Sequence, residues 1–284
     1  MSLVLIDTSY TSFYRFFATL RWFSLNQPEF YKEKKNDNTY DWSENKIFIE
    51  KYEKMYLESI IKLIGNKIYK NCKMIFCMDS PKENIWRMKL SQSYKSDRCD
   101  LSIKNNFKPT FNQTYNKIIP NLLINNPDKI FKLRINELEA DDIIAVICRY
   151  YEKINPHLNI YLISGDQDFL QLGRPNLHIL DYKKNKKPII LSIDEANNAL
   201  RLKILNGDCS DNIPSIFPKD KKILSLKKKK ELIEDNEKLI KYLDENPDIK
   251  KKYELNQKLI CFDFIPSKFK NNIIKEFIKL KLTH

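Results

Sequence analysis

The chain is expected to fold as an α/β protein, with a mainly parallel sheet flanked by helices and a helical, basic C-terminal region. Three observations predict this. Short apolar runs of strand length recur through the first 190 residues, segments with apolar residues at helical spacing lie between them, and several of the apolar runs end in an acid. Strands that alternate with helices favour parallel pairing, because a parallel connection needs room for a crossover helix.

Taken in order, SLVLID (2–7) reads as a buried strand, and TSYTSFYRFFATLRWF as an aromatic-rich helix. Residues 26–46 are polar with little periodicity and are expected to form a loop, and 47–65 look helical. KMIFCMD (73–79) is a second strand, followed over 82–108 by aromatic and basic residues mixed together. IFKLRI (130–135) is a third strand, and EADDIIAVICRYYEK a helix with Ala140, Ile143, Ile144 and Ile147 on one face. NIYLIS (159–164), NLHILD (176–181) and PIIL (188–191) complete the expected strands. From about 192 the pattern turns helical and basic, as in KDKKILSLKKKK (219–230), so a boundary is placed near 190, separating 1–190 from 191–284.

The 284 residues carry 50 Lys plus Arg against 37 Asp plus Glu, a net charge of +13 that suits a polyanion such as nucleic acid. Gly65, Gly165, Gly173 and Gly207 are the only glycines, which excludes GxGxxG and GxxxxGK[ST] phosphate loops. Six Cys form no CxxC pair and three His are scattered, which argues against a zinc site; Cys77 and Cys148 read as reduced core residues. No signal peptide or membrane span is apparent, and an intracellular protein is expected.

Acids gather where this fold places active groups. Asp7, Asp79 and the pair Asp166/Asp168 follow predicted strand ends, and in open α/β sheets that edge carries the site. Glu139 and Asp142 are i, i+3 on a helix and share one face, and Asp208 and Asp211 in NGDCSDN have the same spacing. ELEADDIIAVI poses the question most sharply, because Glu137, Glu139, Asp141 and Asp142 crowd one helix start. The bland answer is that acids suit a first turn and cap helices. The sharper one is a divalent cation between them.

Six segments in this order, LIDTS, FCMD, YKSDR, EADD, SGDQDFLQL and GDCSDNIP, resemble the 5′-nuclease superfamily: flap endonucleases, the 5′-exonuclease domain of bacterial DNA polymerase I and phage 5′-nucleases. CMDSPKENIWRMKLSQSYKSDR and NQKLICFDFIPSKFKNNII are most similar to the T-even phage ribonuclease H type. The resemblance implies a PIN-like core and two Mg²⁺ ions, with Mn²⁺ an expected substitute. By match, Asp7, Asp79, Glu139, Asp141 and Asp166 hold one ion, while Asp142, Asp168, Asp208 and Asp211 complete the site around the second. Lys95 and Arg98 are implied to reach the scissile phosphate.

The implied reaction is metal-dependent 5′-3′ exonuclease or flap endonuclease cleavage of branched, nicked or primed duplex in replication or repair. A polymerase, clamp or single-strand-binding protein is a conceivable partner. Arg87, Lys89 and Tyr94 are expected to touch nucleic acid from the 82–108 gateway, and Lys219, Lys221 and Lys222 from the basic region; the bland readings are solvated faces, with Trp86 packed inward. Relatives follow GDxxDNIPG with a Gly-rich, K⁺-binding hairpin; here no Gly follows Gly207, which puts K⁺ in doubt. The rivals are a PIN-type ribonuclease and a non-catalytic nucleic-acid-binding relative.

Overall fold

The computed structural model describes residues 2–96, 106–184, 187–217 and 226–280. Arg98, Lys219, Lys221 and Lys222 lie outside the described residues. Among the described residues the sheet has five strands, β1 (Ser2–Asp7), β2 (Cys72–Met78), β3 (Ile130–Arg134), β4 (Ile160–Ile163) and β5 (Leu177–Leu180), in the order β3-β2-β1-β4-β5. All four pairings are parallel, and Asp7 lies level with Cys77 of the neighbouring strand.

Alternation along β1 explains why both faces are covered. Leu3 and Leu5 join Ile75 and Cys77 on one face, while Val4 and Ile6 join Met74 and Phe76 on the other. The second face receives helices α1 (Thr8–Asn26) and α3 (Lys46–Ile64), whose Phe16, Phe23, Phe48, Tyr52 and Tyr56 are buried. Helix α2 (Pro28–Lys34) and α4 (Asn66–Lys70) are short neighbours, and α5 (Lys108–Gln113) and α6 (Ile119–Asn125) flank a π-helical turn over Thr114–Ile118. The first face receives α7 (Ala140–Ile154).

Beyond β5 come α8 (Ile193–Asn206), α9 (Leu226–Glu234), α10 (Asn236–Asp244), α11 (Pro247–Ile260) and α12 (Ser267–Lys279). Phe262, Phe269, Ile273 and Phe277 pack into the core under α7. The change of pattern near 190 therefore does not coincide with a break in packing.

Two expected elements differ. The stretch 26–46 contains α2, begun by Pro28, and Trp42, which is buried against Phe23, Tyr40 and Phe48. Its burial comes from aromatic contacts across elements, which leave no periodic trace. PIIL forms no strand: Ile189 makes a single antiparallel bridge to Ile179, and Pro188 offers no N–H to extend it.

Candidate active site

The parallel register delivers the acids to one edge. Asp7 ends β1 and caps α1, accepting from the Tyr10 N–H at 3.0 Å, and its other oxygen accepts from the Ser164 hydroxyl at 2.8 Å. Asp79 follows β2, accepts from the Ala140 N–H at 2.8 Å and takes the Ser9 hydroxyl on its second oxygen. Ser9 is also 3.1 Å from the Tyr115 hydroxyl, which the π-helical turn presents. Asp7, Asp79, Glu139, Asp141, Asp166 and Lys95 line one cavity of about 770 Å³. Lys82 and Lys183 stand at it too, and Tyr10, Phe13, Tyr14, Phe17, Phe107 and Phe111 form its apolar wall.

The electrostatics of this cavity suit a bound cation. Burial, with Asp79 alongside, pushes Asp7 up to about 7. Burial raises Asp79, and burial together with Asp166 and Asp7 raises Asp141 well above the usual carboxylate range. Glu139 runs the other way: burial opposes its charge, but Lys95 and Arg87 more than offset this and hold it down at about 2. Hard oxygen donors that repel one another out of water suit Mg²⁺ or Mn²⁺, so the residues present fit the implied ions.

A second acid group lies beside the first. Carboxylate oxygens of Asp168, Asp208 and Asp211 come within 4.8 Å of one another. Lys203 of α8 pairs with Asp168 and, at 2.8 Å, with Asp208. The loop that holds Asp208 and Asp211 closes through a pair of 2.8 Å bonds between Asp208 and Ile213. Gly207 sits at φ +72°, and a Cβ there would lie 2.3 Å from the Ile213 oxygen, so only glycine makes the turn. Asn212, itself at φ +57°, donates to the Ser93 oxygen at 3.0 Å and the Ser96 hydroxyl at 2.8 Å, and the Lys95 N–H donates to the Asp211 oxygen at 2.8 Å. Lys95 is thereby held at φ +56°, an uncommon conformation for a side chain other than glycine, with its ammonium on Glu139 and 3.6 Å from Asp211.

A family model described as the 5′-3′ exonuclease, N-terminal resolvase-like domain, matches residues 2–200. The chain belongs to this 5′-3′ exonuclease family. The ribonuclease H of Enterobacteria phage T4 is 28% identical over 252 residues, covering 81% of this chain and 80% of that protein. A 5′-3′ exonuclease of Buchnera aphidicola (subsp. Schizaphis graminum) is 32% identical over 161 residues, 55% of this chain and 52% of the relative. The fold is that of the bacteriophage T5 flap endonuclease solved with DNA and metal ions, at a TM-score of 0.63 and 14% identity, with 99% of each chain covered. The chain is accordingly a 5′-nuclease by sequence, and its fold agrees.

Within this 5′-nuclease, three sequence expectations need correction. Asp142 does not face the cavity: it is fully buried, 2.7 Å from Arg87 and accepting from Trp86 Nε1 at 3.0 Å and from the Glu139 N–H at 3.2 Å. Asp142 lies one residue from Asp141, about 100° around the helix, which turns it from the pocket to the interior. Arg87 and Tyr94 are likewise buried, both on Glu139, and offer no surface to nucleic acid. A buried, paired charge is strongly destabilising to break. Asp142→Ala is expected to cost about 3–5 kcal/mol, read as a lower denaturant midpoint with an unchanged slope. Lys89 stays exposed, paired with Glu137.

Sequence reasoning assigns no role to Ser9, Ser164 or Lys203. Ser9 and Ser164 have a faint signal, since they lie within LIDTS and SGDQDFLQL beside the strand-end acids, but Lys203 carries none without the fold. Among the described residues no helix is long and apolar enough to cross a membrane.

The carboxylates also set a pH dependence. Asp7 and Asp168 each rise from 3.8 to about 7, Asp168 by burial and then by Asp166. Between those values the folded chain binds protons that the unfolded chain has released, so metal-free stability falls as pH climbs from about 4 through 7. Glu139 acts oppositely, but only below its ordinary value of 4.5. In chelator, the thermal midpoint is expected to be lower at pH 8 than at pH 5.5. At pH 8, a divalent cation held at 100 times its dissociation constant is expected to stabilise by about 2.7 kcal/mol, or roughly 5–10 °C. A midpoint in chelator that climbs over this range contradicts the assignment.

Proposed function

We propose that this 5′-nuclease removes nucleotides at the 5′ ends of branched, nicked or RNA-primed duplexes with two Mg²⁺ ions, as part of replication or repair. The carrying observation is the convergence of Asp7, Asp79, Glu139, Asp141 and Asp166, from separate elements, on one cavity that Lys95 also lines. In this reading those five acids hold one ion, and Asp168, Asp208 and Asp211 hold the other, with Lys203 yielding its pairing there. Asp142 supports the site from behind. When bound, such ions supply Lewis acidity toward phosphoryl oxygens and ionise water near neutral pH.

The protein's own residues do the rest. Lys95 presents a fixed positive charge where charge develops on the phosphoryl oxygens, and its left-handed backbone and buried stem spare it reorganisation at that moment. Lys82 is anchored on the Lys95 carbonyl at 2.7 Å, which stiffens the same segment. The wall of Phe13, Tyr14, Phe17, Phe107 and Phe111 takes an unpaired base by stacking, which asks for a displaced 5′ strand rather than an intact helix. Arg98, Lys219, Lys221 and Lys222 remain proposed phosphate contacts, grounded in the family resemblance and the basic sequence. The test is cleavage of end-labelled flap, nicked and RNA-primed duplexes and of single-stranded RNA with Mg²⁺ or Mn²⁺, read by product size. Products released from the 5′ side of a junction or nick are expected; cleavage confined to single-stranded RNA would favour the PIN-type ribonuclease.

A further inference from the structure

The gateway residue Arg87 makes three contacts that join two separate elements, the start of α7 and the end of α11. Its Nη1 donates to Glu139 Oε2 at 2.9 Å, its Nη2 lies 2.7 Å from Asp142 Oδ1, and its Nε donates to the Leu259 carbonyl near the end of α11 at 2.9 Å. The guanidinium stacks on Trp86, 4.6 Å from the ring centroid, and Trp86 in turn donates to Asp142. Nearby, Ile85 and Tyr94 pack with Leu259, Ile260, Ile204 and Ile213, so the gateway, α8 and α11 share one small core. Gln171 fixes the α11 end further, donating to the Ile260 carbonyl at 3.0 Å and accepting from the Phe262 N–H at 2.9 Å.

We propose that Arg87 is a positioning residue that aims Glu139 at the cation cavity and makes that aim depend on the seating of α11. The proposal rests on reading Glu139 as a metal ligand. The two Glu139 oxygens are not equivalent: Oε2 takes both Arg87 and the Tyr94 hydroxyl, the latter at 3.1 Å, while Oε1 takes Lys95 on the cavity side. A carboxylate pinned through one oxygen presents the other in a single orientation, which is how outer partners tune a metal ligand. A lysine cannot replace the fork, because three donors must point in three fixed directions at once. The tether to Leu259 gives the arrangement a further consequence: α11 cannot shift without moving the group that holds Glu139.

The test uses the intact chain and its Arg87→Lys and Tyr94→Phe variants. Mn²⁺ binding is measured by electron paramagnetic resonance, and kcat and KM on a 5′-flapped duplex alongside it. Arg87→Lys is expected to weaken the tightest Mn²⁺ site roughly 10- to 100-fold, with KM nearly unchanged and kcat recovering at high Mn²⁺. Backbone amides around Leu259–Phe262 are expected to exchange faster in the same variant. Tyr94→Phe removes one bond to the same oxygen and keeps every charge, so it shows a smaller loss in the same direction and carries the test if Arg87→Lys does not fold. Wild-type Mn²⁺ affinity in Tyr94→Phe and in any folded Arg87→Lys overturns the proposal, as does a raised KM with intact Mn²⁺ binding, which would make Arg87 a duplex-docking residue. If the wild type binds Mn²⁺ but cleaves nothing, the nuclease reading falls while the affinities still decide the role of Arg87. A wild type that binds no Mn²⁺ removes both.

Discussion

Lys95→Ala is expected to cleave a 5′-flapped duplex about 100- to 1,000-fold more slowly than the wild type at saturating Mg²⁺, with duplex affinity little changed. The size follows from the environment. Lys95 is only 6% exposed, sits on Glu139, and is clamped from below by the Asp211 carbonyl. In the proposed role a cation fixed this way acts on charge that appears only as the bond breaks, so its loss is expected in kcat. Single-turnover cleavage alongside equilibrium binding of the same substrate checks it. Cleavage at the wild-type rate would remove Lys95 from the reaction, and a matching loss of affinity would make it a binding residue.

For Asp7→Asn, stability and activity are expected to move in opposite directions. Asp7 is buried beside Asp79 and titrates at about 7, so its ionised form is a liability in the metal-free fold. Removing that charge at pH 8 is expected to stabilise the chelated protein, by on the order of 2–4 kcal/mol from the size of the shift. Asparagine still offers an oxygen to the Tyr10 N–H, so the cap on α1 survives. In the proposed two-ion site, where Asp7 is a direct ligand, cleavage should nevertheless fall at least about 100-fold, because losing a direct ligand costs more than losing an outer partner. Thermal melts in chelator, paired with cleavage assays in Mg²⁺, decide the matter. A variant that melts lower and cuts normally would leave Asp7 as a helix cap and nothing more.

Much of this arrangement was legible in the residues. SLVLID and KMIFCMD each end in an acid, and parallel pairing carries both ends to the same edge. For Asp7, capping a helix and standing at the acid cavity are compatible: one oxygen caps α1, the other accepts from Ser164, and the side chain still lines the cavity. The same holds for ELEADD, where adjacent carboxylates divide the work. Asp141 lines the cavity, while Asp142 seals the interior with Arg87. Spacing along a helix assigns residues to faces, but it does not say which face meets water, because that depends on what packs against it. The misreading of Arg87 and Tyr94 has the same origin: basic and aromatic residues interleave in a nucleic-acid groove and equally in a buried ion network, and only burial separates the two.

The sequence by itself determined the alternation of strands and helices, the edge at which the acids collect, the lack of GxGxxG and GxxxxGK[ST] motifs, and the membership of the 5′-3′ exonuclease family. Those properties are local or combinatorial: period, strand-end chemistry, composition and ordered motifs. Only the tertiary structure decided that Lys95 rests on Glu139, that Lys203 stands between Asp168 and Asp208, that Trp42 fills the core from an aperiodic stretch, and that Arg87 joins Glu139 to α11. Each is a contact between segments far apart in the chain. Its energy depends on distance and exclusion of water, which no spacing along the chain encodes.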